Sequence, residues 1–136
     1  SEVAHAPGFD HPLADLNAAL LSDGLHIRVA ANTTHERPLG LLVVDGADSQ
    51  PGVAQARIKI ELEEGAQAQF VEYHTSIGDS DHYANSVVEL SLAAGAIADY
   101  VRIQGRDRNH TQTHRTAIQL EASSTVRYSG FDLGGR

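Results

Sequence analysis

Histidine is the residue type with the most chemical potential in this sequence. Eight histidines occur in 136 residues, and cysteine is absent. His110 and His114 have the i, i+4 spacing that places two metal ligands on one face of a helix. The residues around them predict instead a loop that leads into a strand, where the two side chains would lie about 13 Å apart. This pattern predicts a solvated loop, and we assign no metal-binding residue from it.

A second group of candidates is acidic. Asp79 and Asp81 lie in a polar segment that could offer oxygen ligands to a hard cation, but the glycine and distal glutamate of a calcium-binding loop are missing. Together with Glu72 they could also supply the acid and base of a polysaccharide-cleaving enzyme. Nothing in the sequence brings these carboxylates together. We therefore predict a protein that is not an enzyme, with no catalytic and no cofactor-binding residues.

Composition excludes several classes of partner. The formal net charge of −8 disfavours nucleic acid and anionic lipid surfaces. The absence of cysteine excludes a disulfide framework, and it excludes a thiolate-ligated zinc or iron–sulfur site built from this segment alone. No apolar run approaches the roughly 20 residues that span a bilayer. We expect a cytoplasmic protein without a nucleic-acid or membrane partner.

The beginning of the sequence predicts one short helix followed by β-structure. Residues 1–9 are polar and predict a flexible segment, and residues 10–136 form the predicted domain. Pro12 suits a first helical turn, and three leucines follow it at helical spacing. Leu25–Val29 alternates apolar and polar residues, as a half-buried strand does. Leu41–Val44 is continuously apolar, which predicts a strand covered on both faces.

An internal repeat begins at residue 57. The pattern of residues 57–66 recurs at 86–96 and, more weakly, at 117–124. Each unit predicts an alternating strand, a short turn and a second alternating strand. Tyr100 and Tyr128 occupy the same position of successive units, which predicts a structural stack.

Two architectures fit this repeat. Units of 28 to 30 residues without a helix can bury their apolar faces by stacking into a parallel solenoid. The same strands could instead form an antiparallel meander or sandwich with a hairpin at each turn. Periodicity does not separate the two. In both, the polar residues 75–85 and 104–115 are predicted to be surface connections.

Several stretches resemble a known family. Asp23–Val29, Glu36–Leu39, Leu62–Ala68 and Val71–His74, in this order and spacing, resemble the SufB/SufD family of iron–sulfur cluster assembly proteins, and its SufD branch more closely. The resemblance runs from about residue 9 to residue 133. It implies a right-handed parallel β-helix core, so the expected fold is all-β: a β-solenoid with a short N-terminal helix.

The resemblance also implies a function. It suggests a non-catalytic scaffold, cut at both ends from a longer SufD-like core, in which the core pairs with a SufB-like subunit. A region outside this segment would contact a SufC-like ATPase, and the full complex would assemble an iron–sulfur cluster. No cofactor is expected in this segment. The alternative is a carbohydrate-active or carbohydrate-binding β-helix protein, against which the low aromatic content argues. Exposed strand edges further predict self-association.

Overall fold

The fold consists of one helix and eight strands. The computed structural model describes residues 11–21, 23–46, 51–78 and 81–134. Within these residues the elements are α1 (Pro12–Ala19), β1 (Asp23–Val29), β2 (Leu39–Gly46), β3 (Gly52–Leu62), β4 (Gln67–Ile77), β5 (His82–Leu92), β6 (Ile97–Gln104), β7 (His110–Leu120) and β8 (Thr125–Asp132). The prediction of an all-β protein with a short N-terminal helix is confirmed. The helix is too short to cross a membrane, and the described part of the chain has no other.

The strands form two parallel sheets. The first sheet has the order β1-β3-β5-β7 and the second the order β2-β4-β6-β8, so consecutive strands alternate between the sheets. Each pair of consecutive strands is one coil, and each coil pairs in parallel with the next. Leu62 pairs with Leu92, and Leu92 pairs with Leu120, which is the register of the sequence repeat. The solenoid prediction is therefore confirmed, and the antiparallel alternative is wrong.

In each coil, one residue in the left-handed backbone conformation lies at the turn from the first sheet to the second. Asn32, Gly65, Gly95 and Ser123 have φ values of 55°, 66°, 68° and 58°. Glycine and asparagine adopt this conformation at the lowest cost. A Cβ atom at Gly65 would lie 2.7 Å from Oδ1 of Asn32 in the preceding coil. The repeat thus extends to a first coil whose turn carries asparagine instead of glycine.

The apolar core fills the space between the sheets beside these turns. Ile60, Leu90 and Val88 are at most 1% exposed. The rings of Phe70 and Tyr100 have centroids 5.9 Å apart, and the rings of Tyr100 and Tyr128 stack at 5.7 Å. The predicted tyrosine stack is confirmed and begins one coil earlier, with Phe70.

The helix α1 packs against the outer face of the first sheet mainly through Ala14 and Asn17. Leu16 and Leu20 are exposed, whereas Ala14 is 3% exposed and Asn17 is fully buried. The Asn17 side chain donates hydrogen bonds to the carbonyl oxygens of Ala56 and Asn85, at 3.0 and 2.9 Å. These bonds fasten the helix to two neighbouring strands.

Strand β2 departs from the prediction of burial on both faces. Leu42 is 68% exposed and Val44 is 47% exposed, while Leu41 is buried. Only the face of β2 towards the opposite sheet is covered. The continuous apolar run therefore reflects one core face and one apolar outer face.

The connections between coils are shorter than predicted. Strand β4 continues to Ile77, and β5 begins at His82. Strand β6 ends at Gln104, and β7 begins at His110. Much of the polar segments 75–85 and 104–115 consequently belongs to strands, and their inward residues line the space between the sheets.

Candidate functional site

On strands β4 to β7 the inward-facing side chains are apolar beside the turns and polar towards the connections between coils. On β4 the buried series runs Ala68, Phe70, Glu72, His74, Ser76, and the same change occurs along the neighbouring strands. We call the space between the sheets the lumen. Its apolar half lies beside the turns, and its polar half lies towards the connections between coils. The polar half comprises Asp45, Glu72, His74, His82, Arg102, Gln104, Arg106, His110, Gln112 and His114.

Glu72 is the carboxylate at the centre of the polar half. Its side chain is fully buried, and its two oxygens accept hydrogen bonds from His74 Nε2 at 2.5 Å and from the Tyr100 hydroxyl at 2.7 Å. Burial alone would raise the pKa of Glu72, but the hydrogen bonds from His74 and Tyr100 oppose it, and this pKa lies below its usual value. Burial and the charge of Glu72 raise the pKa of Tyr100, so the phenol remains a donor.

Arg106 holds the other side of His74. One guanidinium nitrogen donates to His74 Nδ1 at 2.8 Å, and Nε donates to Asp45 at 2.5 Å. A third contact joins Arg106 to the amide oxygen of Gln112 at 2.5 Å. Because arginine only donates, His74 accepts at Nδ1 and carries its proton on Nε2, facing Glu72. The result is a continuous buried network from Asp45 to Glu72.

His114 faces this network from the opposite sheet. Small residues occupy its column in the two preceding coils, Ala56 and then Ser86, whereas the fourth coil extends an imidazole here. Its ring lies 5.5 Å from that of His74 and almost perpendicular to it. One ligand atom from each of Glu72, His74 and His114 lies within 4.8 Å of the others.

The two ring nitrogens of His114 differ in their surroundings. Nε2 lies 2.9 Å from the Thr116 hydroxyl, whereas Nδ1 is buried and has no hydrogen-bond partner among the described residues. Burial lowers the pKa of His114 to about 4, against the opposing charge of Glu72. The imidazole is therefore neutral at physiological pH, which is the form that ligates metals.

A second pair of histidines lies further along the polar half. His82 and His110 are buried with their ring centroids 5.5 Å apart, and neither ring has a hydrogen-bond partner within the described residues. Burial lowers the pKa of His82 despite the nearby charge of Asp45. His110 and His114 thus belong to separate clusters. The expectation of a solvated loop here is wrong, because both residues are on β7 and face the lumen.

The acidic candidates do not come together. Asp81 is exposed at the start of a coil, whereas Glu72 is buried in the lumen. Asp79 lies outside the described residues. The sequence suggests Glu72 as a possible acid or base, but it does not suggest Glu72 as a metal ligand beside two histidines. The sequence carries no signal for that grouping, since His114 approaches it from the other sheet.

A cavity joins the polar half to the surface at the last coil. It has a volume of about 610 Å³. Its walls are formed by Arg102, Gln112, His114, Thr116, Tyr128, Gly130, Asp132 and Gly134. His114 therefore borders both the buried network and a path to solvent.

The outer face of the first sheet is charged. His26 and Lys59 both contact Glu61, at 2.6 and 2.7 Å, and Arg57 pairs with Glu89. The His26–Glu61 and Arg57–Glu89 pairs join neighbouring strands, whereas Lys59 and Glu61 lie on one strand. The Arg57–Glu89 pair is buried, so only the part of this face away from α1 is a polar, solvated surface.

The outer face of the second sheet carries an apolar column. Leu42, Tyr73, Ile103 and Phe131 occupy one register position on four successive strands. Leu42 is 68% exposed, Tyr73 39% and Phe131 50%. We call these four residues the outer apolar column. Ile103 is half-buried between Tyr73 and Phe131. A row of apolar side chains on an outer sheet face commonly marks a protein interface.

Comparison with known proteins gives a consistent family match. Residues 43–136 match the family model described as SUF system FeS cluster assembly, SufBD core domain. An iron–sulfur cluster assembly SufBD family protein of Synechocystis sp. is 25% identical over 131 residues, covering 90% of this chain and 29% of that protein. The iron–sulfur cluster assembly protein SufD of Escherichia coli K12 is 26% identical over 123 residues, covering 88% and 29%. The chain spans less than a third of the length of these relatives. No solved structure gives a significant match.

Proposed function

Because the chain belongs to the SufBD core-domain family of the SUF iron–sulfur cluster assembly system, we propose that it is a scaffold segment that pairs through its solenoid with a SufB-like subunit. Contact with a SufC-like ATPase is assigned to no residue of this chain. The iron–sulfur cluster is the product of the complete assembly and not a cofactor of this segment. We expect no catalytic turnover from the chain itself.

The observation that carries this proposal is the outer apolar column. Strands in a sheet lie about 4.8 Å apart, so its four side chains form a row about 14 Å long. A partner with the same solenoid repeat presents side chains at the same spacing, and the two rows can pack in register. Leu42 and Phe131 are the most exposed members and lie at the two ends of this row.

The carbohydrate-binding alternative is less well supported by this surface. Sugar rings stack on adjacent outward-facing aromatic side chains. Tyr73 and Phe131 do face outward, but Ile103 lies between them in the column. A flat aliphatic and aromatic row suits a protein partner better than a sugar chain.

The test is a pull-down of the 136-residue chain with SufB-like and SufC-like subunits from a related bacterium. We expect the SufB-like subunit to be retained and the ATPase not to be. Leu42→Glu and Phe131→Glu each bring a charge into the proposed interface and should weaken retention about tenfold or more. Gln119→Glu, on the exposed outer face of the first sheet, is the matched control and should bind normally.

Two results would contradict the proposal. The first is failure to retain the SufB-like subunit under conditions in which a full-length SufD retains it. The second is equal weakening by Gln119→Glu and by the column variants, which would mean that the column has no special role.

The last coil also predicts self-association. In the described residues, β7 and β8 pair with a neighbouring strand on one side only, and Leu120 is 49% exposed. Unpaired parallel edges recruit further strands. Light scattering should give a mass that rises with concentration, whereas a constant monomer mass would contradict this expectation.

A further inference from the structure

We propose that Glu72, His74 and His114 form a binding site for a divalent first-row transition-metal ion inside the solenoid. These residues offer two imidazole nitrogens and one carboxylate oxygen within 4.8 Å of one another. Two histidines and one carboxylate are a recurrent ligand set for Fe²⁺ and Zn²⁺, and they leave positions open for water or another ligand. Calcium and magnesium prefer sites composed of oxygen.

The charges around the site leave Glu72 available to a cation. Arg102 pairs with Asp132 and Arg106 pairs with Asp45. The hydrogen-bond partners of Glu72 in the described structure are His74 and Tyr100, neither of which is a permanent cation. A buried carboxylate is strongly stabilised by an ion that replaces its lost hydration.

His114 supplies the second, independent observation. Its Nδ1 atom is buried and has no partner in the part of the chain that the structure describes, although a buried polar atom normally has one. Thr116 contacts the other ring nitrogen and thereby orients the imidazole. A metal ion at Nδ1 would satisfy this atom without any change in the fold of β7.

Metal binding would require His74 to change its tautomer. Its Nε2 proton now lies against Glu72, and a metal ion bound at Nε2 would take the place of that proton. The ring proton then resides on Nδ1, where Arg106 donates at present. Arg106 would then turn away from Nδ1, since two donors cannot face each other, and it would keep its contacts with Asp45 and Gln112. The hydrogen bond made by the second ring nitrogen of a ligating histidine orients its ring in most metal sites.

An ion can reach the site through the cavity at the last coil. His114 lines this cavity together with Gln112 and Asp132, and the cavity is large enough, at about 610 Å³, to admit a hydrated ion. The entrance is polar. The site thus has ligands, orienting partners and a path for the ion, as a metal-binding site requires.

The experiment titrates metal-free, tag-free chain with Zn²⁺ by calorimetry and with Co²⁺ by visible absorption. We expect one ion per chain. Glu72→Gln and His114→Gln each remove a ligand while retaining a polar side chain of similar size. Each should lower affinity by more than the roughly 10–100-fold that loss of an outer-shell partner causes. Circular dichroism verifies the fold of each variant.

The matched control is His110→Gln, which removes another buried histidine from the same strand and the same lumen. It should bind metal as the parent chain does. Because a variant can fail to fold, ring-nitrogen NMR spectra of the parent chain provide a second measurement. Zn²⁺ should shift the resonances of His74 and His114 and leave those of His82 unchanged.

Three results would overturn the proposal. They are absence of binding by the folded parent chain, binding that survives both ligand substitutions, and ring shifts confined to histidines outside the site. This test needs no partner subunit. It can therefore fail while the scaffold proposal stands, and the reverse also holds.

Discussion

The two halves of the lumen are built from the same strands, yet they use opposite chemistry. Beside the turns, Leu62, Leu92 and Leu120 repeat one residue type through three coils. A few residues along the opposite strands, Glu72 and Arg102 occupy a single column. Apolar residues of one type that pack over one another in successive coils are sufficient for a core, whereas buried charged residues need specific partners. We infer that the first half stabilises the fold and that the second half serves a ligand.

The largest effect is expected in the apolar half. Leu90→Ala removes a fully buried side chain from the middle coil and should lower the free energy of unfolding by about 2–5 kcal/mol. Urea denaturation measures the loss. Leu42→Ala, at an exposed position, is the control and should lower the free energy of unfolding far less. Similar losses at both positions would contradict the assignment of the core.

A smaller loss is expected where the two halves meet. Tyr100→Phe deletes the hydroxyl that donates to the buried Glu72 carboxylate, which should cost about 1–3 kcal/mol. Tyr128→Phe is the matched control, because its hydroxyl contacts the Thr116 hydroxyl at an exposed position. Equal denaturation midpoints for the two variants would mean that the Glu72 contact contributes little.

The histidines of the polar half should make the folded chain less stable at acid pH. Burial lowers the pKa of His82 below its ordinary value of about 6.5, while the charge of Asp45 opposes this shift and His110 and Arg106 add to it. The unfolded chain then takes up the proton first, so the stability present above about pH 6.5 declines as the pH falls below that value. His82→Gln should flatten this part of the pH profile of thermal unfolding, and His35→Gln, at an exposed position beside the Arg37 carbonyl, should not. An unchanged profile for His82→Gln would count against its burial.

The smallest effect is expected on the outer surface. Arg127 contacts Asp99 through two hydrogen bonds, of 2.5 and 2.8 Å, and holds the pKa of Asp99 below its usual value. The stabilisation is therefore present at neutral pH and is lost as the pH falls through the folded pKa of Asp99. Asp99→Asn should shift the urea midpoint slightly at low salt and hardly at all at high salt. A large, salt-independent loss would contradict this account.

The apolar half was predictable from the sequence because it is periodic. Gly65, Gly95 and Ser123 mark equivalent turns, and Phe70, Tyr100 and Tyr128 follow them at the same distance. Parallel pairing in register places such residues directly over one another. The repeat alone still allowed hairpins, and the family resemblance favoured the solenoid that the structure has.

The polar half was not predictable from the same pattern. Periodicity identifies neighbours within one column, but His114 meets His74 across the lumen, from the opposite sheet. The polar composition of residues 104–115 also resembles that of a surface loop. Polar residues can line the inside of a strand only when they find buried partners, and Arg106 supplies several of these.

The outer apolar column was missed for a related reason. A continuous apolar run such as Leu41–Val44 predicts burial on both faces of a strand. The structure instead leaves Leu42 and Val44 exposed. An interface with another chain produces the same sequence pattern as a core inside one chain, and the sequence does not distinguish them.

The most direct test of the division of the lumen is urea denaturation with and without Zn²⁺, applied to the parent chain, Leu90→Ala and His114→Gln. An ion that binds only the folded chain stabilises it, by about 2.7 kcal/mol at a concentration 100 times its Kd. Our account predicts that Leu90→Ala has a lower free energy of unfolding but is still stabilised by Zn²⁺ as much as the parent chain is. His114→Gln should lose this stabilisation by Zn²⁺. Stabilisation by Zn²⁺ that persists in His114→Gln would contradict this account. So would its loss in Leu90→Ala while that variant is still folded.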